Sequence, residues 1–135
     1  MATTTATITL ASSDLLSDPI SFSTTAELTT AGTATGLSNT AGLARKTTES
    51  ASEYTLYAAA DYTDDKAHKI YLKNTETNDA LYFLIKIHDV EVGRLYAGDW
   101  ALIPWSADTT GDNTDFKITP STSASHTLEY MLLHE

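Results

Sequence analysis

The chain reads as an all-β protein: an antiparallel β-sandwich, jelly-roll-like or a small barrel, with an extended N-terminal arm. Three observations predict this. Apolar and polar residues alternate with period two in several short segments, the spacing of half-buried strands. Turn-forming clusters such as Asn74–Asp79 and Gly98-Asp99 separate those segments. No segment carries a sustained i, i+3, i+4, i+7 apolar stripe with helix caps.

Taken in order, Thr5 to Leu10 alternates threonine with Ala6, Ile8 and Leu10, and after Ser17-Asp18-Pro19 the run Ile20-Ser21-Phe22-Ser23 alternates again. From Thr29 to Ser50 the pattern lapses into Gly32, Gly36 and Gly42 among small residues. That segment has little to bury and is expected as an extended arm or long loop. Lys69-Ile70-Tyr71-Leu72-Lys73 resumes the alternation. Leu81 to Ile87 puts Leu81, Phe83, Ile85 and Ile87 on one face and keeps Tyr82 and Leu84 on the other, which predicts a central strand buried on both sides. His88 to Glu91 is expected to turn the chain before Val92-Gly93-Arg94-Leu95. Trp100 to Ile103 is the next strand, limited to an edge or strand end by Pro104. Asp108 to Asn113 is a loop tip. His126 to His134 is the last strand, with Leu128, Tyr130 and Leu132 on one face and Met131 and Leu133 on the other.

Aromatic residues divide the chain. Phe22 is the only one before residue 50, whereas all seven tyrosines and both tryptophans follow it. Large aromatic and aliphatic side chains supply most of the burial energy, so residues 51–135 are expected to build the core. Residues 1–50 form a Thr/Ala/Ser-rich arm with one or two short strands, and the two parts make one domain. The 135 residues suit that size.

Charge and composition exclude several functions. Eighteen acidic side chains against eight basic ones give a net charge of −10, the wrong field for a nucleic-acid binder. The chain has no cysteine, hence no disulfide, thiolate metal site or cysteine nucleophile. Its first basic residue is Arg45, so no secretory n-region is expected, and Leu81–Ile85 is too short an apolar stretch to be expected to span a bilayer.

Nothing in the spacing points to catalysis. Asp108, Asp112 and Asp115 surround a glycine, but they lack the alternation and terminal glutamate of a calcium loop, and Asp61, Asp64 and Asp65 read as a charged turn. His68, His88, His126 and His134 show no i, i+2 or i, i+4 pairing for a metal. There is no nucleophile elbow and no phosphate-binding glycine pattern. No catalytic, cofactor or metal residue is assigned. Trp100 and Trp105 are five apart, so a regular strand puts them on opposite faces, one in the core and one at a surface or interface. An exposed tryptophan on a β-sandwich would also serve as a sugar platform.

The stretches Ala67 to Thr75 and Val92 to Ala101, with Ser12 to Ser17, Thr35-Gly36-Leu37, Gly42 to Lys46 and Ile118 to Thr122, have a familiar cadence. They resemble small virion structural proteins of tailed bacteriophages, marine cyanophage-like, of the head decoration or cement type. The resemblance covers most of the chain and rests on turns and strand ends. It implies a non-enzymatic protein without cofactors, bound to the major capsid protein and to copies of itself as a homo-oligomer, for which a trimer suits a capsid lattice. Together with the acidic net charge, which would not favour contact with packaged DNA, it points to the outer surface of the head after assembly in the host cytoplasm, touching neither nucleic acid nor membrane. An arm laid along a neighbour would place Thr35, Gly36, Leu37, Gly42, Leu43 and Arg45 at an interface, with Trp105 beside them. A tail, neck or fibre component, or a carbohydrate-binding host-attachment module, are the alternatives.

Overall fold

The computed structural model describes residues 3–15, 17–111 and 113–135. It is all-β, with no α-helix among the described residues, and every strand pairing is antiparallel. The strands are β1 (Thr5–Ser12), β2 (Ile20–Glu27), β3 (Asn39–Thr40), β4 (Ala44–Thr48), β5 (Tyr54–Tyr57), β6 (His68–Asn74), β7 (Tyr82–Ile87), β8 (Val90–Tyr96), β9 (Trp100–Trp105), β10 (Phe116–Pro120) and β11 (His126–His134). One 3₁₀ turn, Ala59–Asp61, follows β5.

Two sheets form a sandwich rather than a closed barrel. One has the order β5-β10-β7-β8; the other runs β11-β6-β9, with β3 and β4 both paired to β11 on its far side. Their inner faces share one core: Phe83, Ile85, Leu95, Phe116 and Ile118 from the first sheet meet Ile70, Leu72, Trp105, Leu128 and Leu132 from the second. The alternation read from the sequence has this cause. In β6, Ile70 and Leu72 are buried between half-exposed Lys69 and Tyr71 and exposed Lys73, and β7 buries Phe83 and Ile85 while Tyr82 and Leu84 stay partly open. As expected, β7 is an interior strand, held between β10 and β8.

Several expectations need correction. The turn between β7 and β8 is the tight pair His88-Asp89, with His88 at φ 57°, so Val90 and Glu91 already belong to β8. Strands β5 and β10 are not among the segments expected as strands. Most importantly, residues 29–50 are not a free arm. Leu37 is 1% exposed, β4 pairs with β11 from Thr48↔His126 to Ala44↔Tyr130, and β3 pairs with its end. These residues contribute backbone hydrogen bonds to a sheet whose buried apolar side chains come from β6, β9 and β11. What projects instead is the β1–β2 hairpin, a separate two-stranded sheet.

A buried polar residue organises the β6 end. Asn74 is fully buried; its Nδ2 donates to the Leu95 carbonyl at 3.0 Å and the Leu81 carbonyl at 3.3 Å, and its Oδ1 accepts from the Glu76 N–H at 3.1 Å. One side chain therefore ties β6, the start of β7 and β8 together. Gly98, at φ 80°, supplies the left-handed residue of the turn into β9.

Candidate interaction surface

The hairpin is in register along its whole length, from Thr5↔Glu27 to Ser12↔Ile20. Directly opposed residues share a face, which sorts the side chains into two sets. One face is polar: Thr7 and Thr25 hydroxyls lie 2.8 Å apart, and Thr9 and Ser23 hydroxyls 3.1 Å apart. The other carries Ala6, Ile8, Leu10, Ile20, Phe22 and Ala26, with Ser12 and Thr24 as its two polar members. Away from its base this apolar face has no cover among the described residues, with Leu10 57% and Phe22 50% exposed.

At its base the hairpin is anchored. The Leu28 N–H donates to the Thr4 carbonyl at 2.9 Å, and Leu28 packs with Leu37 and Leu133, joined by Ala6, Leu102 and Met131. There the apolar face runs onto the outer surface of the β11-β6-β9 sheet. Between them lies an open groove of about 200 Å³, lined among others by Ile8, Tyr71, Trp100, Leu102 and Met131. Next to the groove, one row of the sheet reads Arg45, Glu129, Lys73, Trp100 across β4, β11, β6 and β9. Arg45 donates to Glu129 at 3.0 Å, and Glu129 receives the Tyr71 hydroxyl at 3.4 Å. Burial, followed by the Glu129 carboxylate, holds the Tyr71 hydroxyl above its ordinary range.

The electrostatics of the projecting part are one-signed. Every charged side chain before Arg45 is acidic: Asp14, Asp18 and Glu27. On the opposite sheet the cations are neutralised, because Lys117 lies 3.3 Å from Glu53 and 3.2 Å from Asp89, and Lys86 lies 2.9 Å from Glu53. The hydrogen bond from Lys86 lowers the Glu53 pKa, and that from Lys117 lowers the Asp89 pKa.

The residues assigned to an interface from the sequence do not form one patch. Thr35, Leu43 and Arg45 are exposed and Gly42 is partly so. Gly36 and Leu37 are buried, and Trp105 is 4% exposed, with its Nε1 donating to the Thr114 carbonyl at 2.8 Å. Leu37 and Trp105 thus pack inside the chain instead of facing a partner. The tryptophan parity argument holds, with the members distinguished: Trp105 is core and Trp100 is 55% exposed. Ile8, Leu10 and Phe22 were not assigned to an interface from the sequence, because alternation marks a two-faced strand without saying which faces find a partner; Trp100 entered only as one of two tryptophans, with neither fixed as the exposed one.

Among the described residues, no three His, Cys, Asp or Glu side chains come together as metal ligands. Asp108 instead binds its own loop, accepting from the Thr110 N–H at 2.8 Å and hydroxyl at 2.7 Å. The hydroxyl contact, then the backbone one, lowers its pKa. Asp115 accepts from the Ala59 N–H at 2.8 Å. Asp112 lies outside the described residues. A serine–histidine pair exists, Ser121 Oγ to His126 Nε2 at 3.1 Å, but His126 is fully buried with Nδ1 against the Ala124 carbonyl, and Ser121 also accepts the Tyr82 N–H. That pair pins the β10–β11 turn.

Compared with protein-family models, curated proteins and solved structures, the chain matches none of them.

Proposed function

We propose that this chain is a non-enzymatic virion structural protein, a head decoration protein that grips the outer capsid surface through its β1–β2 hairpin and stabilises the lattice. The observation that carries the reading is the uncovered apolar face of the hairpin. An isolated two-stranded hairpin is marginal in water, and leaving large apolar side chains exposed forgoes roughly 1.5–3 kcal/mol for each one that could be fully buried. A partner that covers Leu10 and Phe22 recovers part of this.

The size of the face favours a lattice over an isolated pair. Eight residues at ~3.3 Å each make a ribbon about 26 Å long and about 10 Å wide. Its area is well below the roughly 800 Å² per partner of a standard stable interface. The groove and Trp100 extend it, and binding many sites on one surface multiplies the effect of each contact. Charge sets the partner's chemistry: an all-acidic hairpin suits an apolar groove on the major capsid protein rimmed by Lys and Arg. The net charge of −10 keeps crowded copies apart in solution, so contacts between copies form on the lattice rather than before it.

Immunogold labelling of intact virions with antibody against the chain tests this. Dense label over the head supports it, and label confined to the tail overturns it. The exposed Trp100, next to Lys73 and in one row with Glu129 and Arg45, supports a second reading, a glycan-binding host-attachment module. Saturable glycan binding lost in Trp100→Ala would favour that instead.

A further inference from the structure

His68 is the polar group in this fold whose burial is hardest to explain. It begins β6 on the inner face, 1% exposed, and neither ring nitrogen makes a well-formed hydrogen bond among the described residues, the Thr63 carbonyl being the backbone group that faces it. Aromatic rings enclose it: Trp105 from β9 at 5.4 Å between centroids, Tyr62 from the segment after the 3₁₀ turn at 5.7 Å, and His134 from β11 at 6.1 Å. Tyr57 of β5 closes the cluster behind Tyr62 and Trp105. A buried imidazole without a well-formed hydrogen bond lowers the stability of the closed state, and a proton added there would place a largely desolvated cation among rings.

The same corner holds the hairpin to the sandwich. The Glu135 carboxylate, directly after β11, accepts from the Ala67 N–H at 2.8 Å and the Ala31 N–H at 3.4 Å, and Lys66 stands 4.0 Å away. Ala31 belongs to the loop that follows β2, and Ala67 immediately precedes His68. One carboxylate therefore clasps three segments beside the enclosed ring.

We propose that His68 is an acid-sensitive latch on this clasp: protonating it opens the corner and loosens the attachment of the hairpin base. The groups facing it act as follows. Burial is the largest influence and lowers its pKa; His134 and Lys69 add to that, while the Glu135 carboxylate and the Thr63 carbonyl oppose it. A histidine whose pKa is depressed in the closed state binds its proton more readily when open. Closure is then fully supported above the ordinary histidine value of about 6.5 and weakens as pH falls below it. The Glu135 carboxyl is also held low, first by the Ala67 N–H, so its contribution persists through this window and is lost only at more acidic pH. The latch is independent of which partner the hairpin meets.

Hydrogen exchange of the Ala31 and Ala67 amides, corrected for intrinsic rates, tests this on the full chain between pH 7.5 and 5. Below about pH 6.5 the opening equilibrium should rise towards tenfold per pH unit, the slope of one linked proton. In His68→Phe, which keeps the site aromatic, it should stay flat over the same window. A flat wild-type profile, or an equal slope in the variant, overturns the proposal. Should the variant not fold, the wild-type His68 ring titrated by NMR decides: an apparent pKa below 6.5 supports the latch and one at or above 6.5 overturns it.

Discussion

Replacing Phe83 by alanine should cost much more than replacing Phe22, and the difference follows from burial alone. Phe83 is fully buried at an interior position of β7, paired with Pro120 of β10 and Leu95 of β8, and its ring meets His126 edge-on at 5.5 Å. The paired sheets restrict collapse around the space it would leave, so the transfer and cavity contributions both apply, about 3–5 kcal/mol together. Phe22 is half exposed on a ribbon with one uncovered face, and its truncation should cost less than about 1 kcal/mol. A domain of this size has a total stability of about 5–15 kcal/mol, so Phe83→Ala consumes a large fraction of it and should lower Tm by roughly 10–20 °C. Urea denaturation followed by circular dichroism measures both variants. Equal losses, or a Phe83→Ala midpoint within error of wild type, would refute the two-sheet core.

Other consequences follow from single side chains. Asn74→Ala removes three hydrogen bonds and strands two carbonyls and an N–H near the β6 end, which should cost about 2–4 kcal/mol by the same denaturation assay. Trp105→Phe loses the Thr114 bond and should cost about 1–2 kcal/mol, while Trp100→Phe should leave the midpoint unchanged. Iodide should quench wild-type fluorescence through Trp100 alone, so Trp100→Phe should become nearly unquenchable. Limited proteolysis should cut the β1–β2 turn of the free chain well before residues 39–48, because the latter are paired to β11. Cleavage first at 39–48 would restore the free-arm expectation.

The strands that were legible in the sequence are those whose own side chains carry the pattern. His126–His134 was read to its observed limits, and Leu81–Ile87 to within one residue, because alternating bulky residues fix both period and face. Residues 44–48 were not legible as a strand, since Ala44-Arg45-Lys46-Thr47-Thr48 owes its place to the neighbouring strand. Phe116-Lys117-Ile118-Thr119-Pro120 does alternate, but it is short, follows an acidic loop and ends on proline. Two of the residues expected at an interface lie in the interior for a related reason. Leu37 and Trp105 were apolar residues near turns, and only the three-dimensional path shows that they turn inward. The threonine alternation of β1 announced a strand, yet whether Leu10 and Phe22 meet a core depends on where the hairpin leaves the sandwich.

Binding to capsids stripped of the chain tests the central claim most directly. Leu10→Ser with Phe22→Ser removes two side chains, each about half exposed, that docking would cover. Losing that burial should cost about 2–3 kcal/mol, a roughly 30- to 150-fold weakening in co-sedimentation with heads, while circular dichroism and Tm stay near wild type. A folded double variant that binds heads as tightly as wild type, or a wild-type chain that does not bind them, would contradict hairpin-mediated decoration.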